Sequence, residues 1–163
     1  MPNWCMNSVE IVGDVETLEA IKLCAEHNSL LEKLAPIGEW DYGKAVDTWG
    51  TKWDVQDTDC HLDYDTNTLY LNFSSAWSPP VDAYQKGEEN HDIRITAYYY
   101  ECGMMFAGKY EDGADFEYSL DFENEDWKDD IPDDIVVHWD LDSEYESWKE
   151  WQQEDAEEEN DND

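Results

Sequence analysis

Nine carboxylates fall within twenty-one consecutive positions of this chain, at Asp126, Asp129, Asp130, Asp133, Asp134, Asp140, Asp142, Glu144 and Glu146. The chemistry open to such a cluster is the display of negative charge. Residues on one face of a strand recur every ~6.6 to 6.8 Å, the scale on which phosphates recur along one strand of DNA, so a carboxylate row can stand in for a phosphate row. Trp127, Trp148 and Trp151 lie among or just after these acids, and tryptophan is a frequent anchor of protein interfaces. The segments DDIPDD and DLDSEYE do not fit an EF-hand loop, which needs glycine at its sixth position and glutamate at its twelfth. No dedicated calcium site is expected.

A second constellation, Trp49, Trp53 and Trp77 with Pro79, Glu101 and Gly103, sets clustered rings beside a carboxylate, which suits a base or a sugar ring. It also suits a loop pinned down by tryptophans, and the lack of any nucleophilic or basic companion favours pinning. Glu101 would become a general acid if burial raised its pKa, yet no partner acid, histidine or serine can be assigned to it by spacing. Cys5, Cys24, Cys60 and Cys102 are separated by 19, 36 and 42 positions, leaving no Cys-x-x-Cys pair for zinc or an iron–sulfur cluster. Free structural thiols are expected. His27, His61, His91 and His138 show no ligand spacing, and Cys60 and His61, as strand neighbours, would point to opposite faces. The chain is therefore expected to be no enzyme and to hold no metal or cofactor.

The 163 residues include 43 acidic and nine basic side chains, for a formal charge of -34. A protein so anionic repels nucleic acid and lipid headgroups and attracts surfaces built to hold them. Its charge equals that of about 58 Å of duplex DNA, or about 17 base pairs. Residues 111–163 carry 24 acidic and two basic side chains, two thirds of the net charge in one third of the length. Acidity that serves solubility or salt adaptation competes with mimicry of DNA as the explanation. Uneven placement favours mimicry, because adaptation to salt should acidify all surfaces alike.

Holding these groups requires a folded scaffold, and 14% aromatic residues, including nine tryptophans, provide large rings to bury. Alternation predicts strands at residues 7–12, around 62–64 and 69–73 as a hairpin, at 93–100, and at 116–122, where FEYSLDF reads as a half-buried strand. Asp14 caps a helix whose Leu18, Ile21 and Ala25 share one face. Residues 34–55 read as a long loop held by Trp40, Trp49 and Trp53, and Pro79 and Pro80 start a short helix through Gly87. Ile135, Val137 and Trp139 suggest one more strand after an acidic loop at 123–134. Ser143 and Glu146 supply a capping box for a final helix, and the tail from Glu154 is expected to be disordered. This order predicts an α+β fold, a ferredoxin-like antiparallel sheet with two helices on one face. The domains expected are residues 1–122, an acidic strand and helix extension packed on them at 123–153, and a disordered acidic tail at 154–163.

Four stretches, PNWCMN at 2–7, WGTKWD at 49–54, SSAWSPP at 74–80 and YYECGMMFAG at 99–108, resemble in order the pattern of the YubB ferredoxin-like domain family of phages and plasmids. The resemblance covers roughly residues 1–113. It implies a ferredoxin-like sandwich without an iron–sulfur cluster and a mobile-element origin, and it supplies no catalytic residues. Together with the charge it leads to one functional expectation: an acidic inhibitor that acts as a nucleic-acid mimic, blocking a host DNA- or RNA-binding protein with a basic groove, for anti-defence or host takeover. Direct binding of nucleic acid or membrane is not expected, a homodimer through sheet edges or the final helix is plausible, and the host cytoplasm is the expected location. The alternatives are a non-enzymatic structural or assembly module whose acidity serves solubility, and a small-ligand binder using the tryptophan loop.

Overall fold

Alternating buried and exposed residues carry β1 (Trp4–Gly13) through ten positions, with Cys5, Asn7, Val9 and Ile11 turned inward. A computed structural model describes residues 2–161 and divides the chain into two compact units, Met1–Glu117 and Tyr118–Asp163. In the first, Asp14 caps α1 (Val15–Glu26) by accepting from the Thr17 amide at 3.0 Å, and Leu18, Ile21 and Ala25 are buried. Then come α2 (Leu30–Leu34), α3 (Tyr42–Trp49), β2 (Asp59–Asp63), β3 (Thr68–Ala76), α4 (Val81–Asn90), β4 (Ile93–Glu101), β5 (Phe106–Glu111) and β6 (Ala114–Ser119).

The result is an α+β fold with a six-stranded antiparallel sheet in the order β2-β3-β1-β4-β5-β6. Central β1 pairs with β3 from Trp4 opposite Ala76 to Val12 opposite Thr68, and with β4 from Cys5 opposite Glu101 to Gly13 opposite Ile93. Val9 and Ile11 of β1 join Leu69, Leu71, Phe73, Ile95 and Ala97 in a single core with the apolar faces of all four helices.

Four helices thus cover the sheet where two were expected. The stretch read as a loop contains α3, which Asp41 caps through the Lys44 amide at 3.0 Å and which Gly50 ends in the left-handed conformation at φ 80°. An acid before a helix and glycine after it are boundary signals, and Tyr42, Ala45, Val46 and Trp49 between them recur at i, i+3, i+4 and i+7, the spacing of one helical face. Helix α2 is capped from a distance. Asp54, the last residue of WGTKWD, accepts from the amides of Leu31 at 2.9 Å and Glu32 at 3.0 Å.

That placement has a pH consequence. Burial pushes the Asp54 carboxyl up despite its three backbone donors, and loss of solvent pushes up Asp115 and Glu117 as well, the latter also facing Asp115. A carboxyl raised in the folded state binds protons more tightly there than in the unfolded chain, so its stabilisation is full at low pH and is lost as pH rises through the folded value. Self-repulsion at a charge of -34 acts in the same direction. Asp14 and Asp63 are held low by backbone amides, of Thr17 and Asp65 respectively, and their contribution disappears only as pH falls below about 4. The melting temperature is therefore expected to rise between pH 7 and pH 5 and to turn down below about 4. A scan showing greater stability at pH 7 than at pH 5 would contradict this.

The second unit departs further from expectation. The alternation seen in FEYSLDF runs past the strand: β6 ends at Ser119, Phe116 is 53% exposed, and the buried residues Leu120 and Phe122 lie beyond its end. The strand expected at 135–139 is α5 (Asp133–His138), preceded by Pro132 and with Asp133 and Asp134 in its first turn. Proline at a helix start and acids in the first turn favour a helix, and the adjacent pair Ile135 and Val136 is buried while Val137 is 77% exposed. The final helix, α6 (Leu141–Asp161), begins two residues before Ser143, so the expected capping box is not its start; the Asp140 carbonyl accepts from the Ser143 amide at 3.1 Å. It also continues through most of the tail expected to be disordered, of which residues 162–163 lie outside the described residues.

Candidate functional site

Every residue singled out for partner binding lies in the second unit, but the residues do not form one surface. Asp126, Asp129 and Asp130 sit in consecutive turns, closed by bonds such as that from the Trp127 amide to the Asn124 carbonyl at 3.1 Å. Asp133 and Asp134 open α5, and Asp140, at φ 49°, is the hinge into α6. Asp129, Asp133 and Asp142 border one hollow with Lys128, Ile131, Val136 and Val137. The Lys128 ammonium pairs with Asp142 at 2.7 Å, which raises the lysine's pKa. Glu144, two residues beyond Asp142, lies about 200° away round the helix axis.

Two of the three tryptophans serve the fold. Phe122 is the hub of an aromatic group, with ring centroids 4.9 Å from Trp127, 5.4 Å from Tyr145 and 6.0 Å from Trp148. Tyr145 and Trp148 stack within 14° of parallel. Trp127 is buried against Phe122 and Tyr145, so it does not stand as the exposed anchor expected of it. Trp151 is 55% exposed.

Helix geometry supplies a row that the strand reading placed elsewhere. Asp142, Glu146, Glu150, Glu154 and Glu158 recur every four residues along α6, which sets successive carboxylates about 40° apart round the axis with an axial rise of about 6 Å, so the row winds about 160° round the helix from Asp142 to Glu158. From Glu150 to Asp161 every residue is exposed. The helix holds ten carboxylates and one lysine in a length of about 30 Å, a net charge close to that of a single DNA strand of the same length, at one phosphate per ~3.4 Å. Glu150, Glu154 and Glu158 were not among the residues selected from sequence. Their four-residue spacing was the available signal, hidden by the reading of the tail as disordered.

The other candidates resolve into structure. The four stretches at 2–7, 49–54, 74–80 and 99–108 meet at one end of the sheet. Buried Asn7 donates to Ser75 Oγ at 2.9 Å and the Cys5 carbonyl at 3.0 Å and accepts from the Tyr84 hydroxyl at 3.2 Å. Thr51 donates to the Ala76 carbonyl at 2.8 Å, Ser78 to the Gly50 carbonyl at 2.5 Å, and the Trp77 amide to the Asn3 carbonyl at 2.8 Å. Trp49 is buried, its indole donating to the Ala35 carbonyl at 2.8 Å. Glu101 is 1% exposed and closes the turn after β4 by accepting from the amides of Gly103, at 2.8 Å, and Met104. Burial, and after it Glu101, push the Cys5 thiol up to about 12, the setting of a structural thiol. Among the described residues no group of three or more His, Cys, Asp or Glu side chains could hold a metal ion, and no helix is long and apolar enough to cross a membrane.

No family model matches the chain, and no curated protein does. Among solved structures, the chain is similar to a protein api92 from Yersinia pseudotuberculosis, described with the family model DUF1281, at a TM-score of 0.39 and 24% sequence identity. The match covers 63% of this chain and 36% of that one; the chain thus spans little more than a third of that protein's length.

Proposed function

We propose that this protein is an acidic inhibitor, encoded by a phage or plasmid, that occupies the basic groove of a host DNA- or RNA-binding protein in place of nucleic acid. The observation that carries this reading is the carboxylate row on α6, five acids at four-residue spacing on a helix whose charge per unit length approaches that of a DNA strand. Lys and Arg side chains that normally pair with phosphates would pair with these carboxylates. The first unit serves as the scaffold. Its order β1-α1-β2-β3-α4-β4 once α2 and α3, inserted between α1 and β2, are set aside, with β1 central between β3 and β4, supports a ferredoxin-like topology extended by β5 and β6, in keeping with the resemblance to the YubB ferredoxin-like domain family.

The test is competition. Protein immobilised at low salt and exposed to host lysate is expected to retain a basic nucleic-acid-binding protein, which duplex DNA should then displace. The affinity of the purified pair should fall steeply with added salt, as it does where charge pairing steers association. A retained partner that DNA fails to displace, or an affinity indifferent to salt, would rule the reading out.

A further inference from the structure

Exposed tryptophan collects at the end of the sheet where the four stretches meet. Trp4 and Trp77 are each 46% exposed. Trp53 lies against Trp4 with ring centroids 6.4 Å apart, and the Trp77 amide is tied to Asn3, the residue before Trp4. The ground beneath these rings is rigid, because Thr51, Ser75, Ser78 and Asn7 are joined by the hydrogen bonds described above. Trp77 is held at φ 69°, a left-handed conformation that is unfavourable for a bulky residue and persists only where its surroundings enforce it. A strained, half-exposed indole on a rigid base is poorly explained by packing alone.

The chemistry of an occupant follows from charge. The Lys52 ammonium lies over the Trp53 ring, 4.7 Å from its centroid, so a ring face here already receives a cation. At a net charge of -34 the protein draws cations and repels anions. Among biological cations the guanidinium group is planar and weakly hydrated and stacks on indole better than an ammonium. We propose that Trp4, Trp53 and Trp77 form a platform for arginine side chains of a protein partner, separate from the carboxylate row. The platform selects arginine over lysine by stacking, whereas carboxylates accept either.

Two synthetic peptides of equal charge, six Arg-Gly repeats and six Lys-Gly repeats, separate the contributions when titrated into the full-length protein with its indoles labelled for NMR. The arginine peptide is expected to bind about fivefold more tightly than the lysine peptide and to shift the indole signals of Trp4, Trp53 and Trp77. Trp77→Gly combined with Trp4→Ser should bring the two affinities to parity. Trp77→Gly alone, which glycine accommodates at this φ without strain, should reduce the preference while retaining the melting temperature. The triple variant Glu150→Gln, Glu154→Gln, Glu158→Gln should weaken both peptides equally and leave their ratio unchanged, so failure of the platform is distinct from failure of the mimic. Equal binding of the two peptides, a preference that survives loss of the rings, or shifts of these three indoles by a neutral oligosaccharide but not by the arginine peptide would overturn the proposal.

Discussion

Replacing Gly108 by alanine is expected to destabilise the protein by about 3 kcal/mol, the upper part of the range for overpacking a filled core. A Cβ at this position in β5 would lie 2.3 Å from both Cζ and the hydroxyl of Tyr99 and 2.4 Å from the Phe116 carbonyl oxygen. Neither neighbour can yield. The Tyr99 side chain is fully buried, with its hydroxyl fixed to Asp115 at 2.6 Å, and the carbonyl belongs to the backbone of β6, the strand beside β5. Glycine in a strand interior is otherwise unfavourable, and close approach of other groups is the usual reason for one. The midpoint of urea unfolding should drop accordingly while the slope stays constant. A loss below about 1 kcal/mol would mean that Tyr99 does not cover this glycine.

Exchanging Glu150, Glu154 and Glu158 for glutamine is expected to have effects of opposite sign on folding and on partner binding. Carboxylates four residues apart on a helix repel by about 0.2 to 0.5 kcal/mol per pair. The exchange removes three such repulsions, counting that between Glu146 and Glu150, and also removes acids from the C-terminal half of α6, where the helix dipole disfavours them. The helix should therefore gain about 1 kcal/mol, visible as higher helicity at low salt and a smaller gain on adding salt. Partner affinity should fall by about thirtyfold, at roughly 0.7 kcal/mol for each exposed charge pair lost. A variant that is more helical yet binds more weakly cannot be explained by misfolding. Unchanged binding would instead favour acidity as a device for solubility.

Much of the first unit was legible because its signals are local. The alternation of Val9 and Ile11, the cap at Asp14 with Leu18, Ile21 and Ala25 behind it, the turn at 65–68 and the run IRITAYYY each define an element without reference to the rest of the chain, and the structure has an element at each place. Helix α3 was legible as well, since Tyr42, Ala45, Val46 and Trp49 recur at helical spacing between Asp41 and Gly50, but two turns are short and the Gly-, Trp- and Asp-rich residues on either side carry no period. The strand reading of 135–139 failed because Ile135, Val137 and Trp139 fit alternation as well as a short helix does, and an apolar run of that length does not decide between them.

By itself the sequence determined the charge, its concentration in the last third, the lack of ligand spacing among Cys and His, and the four stretches that carry the family resemblance. Only tertiary structure decided that those stretches close on one another, since a hydrogen bond such as that from Thr51 to the Ala76 carbonyl depends on which strands become neighbours. It likewise decided which tryptophans are buried and which remain exposed: Trp127 and Trp151 are the same residue type in equally acidic surroundings, and what separates them is the position of Phe122 against the helix. The arrangement of the acids was decided in the same way. A list of carboxylates becomes a row only when the backbone period is known, and a helix, with four residues to a step of about 6 Å, selects Asp142, Glu146, Glu150, Glu154 and Glu158, where a strand would have selected every second residue.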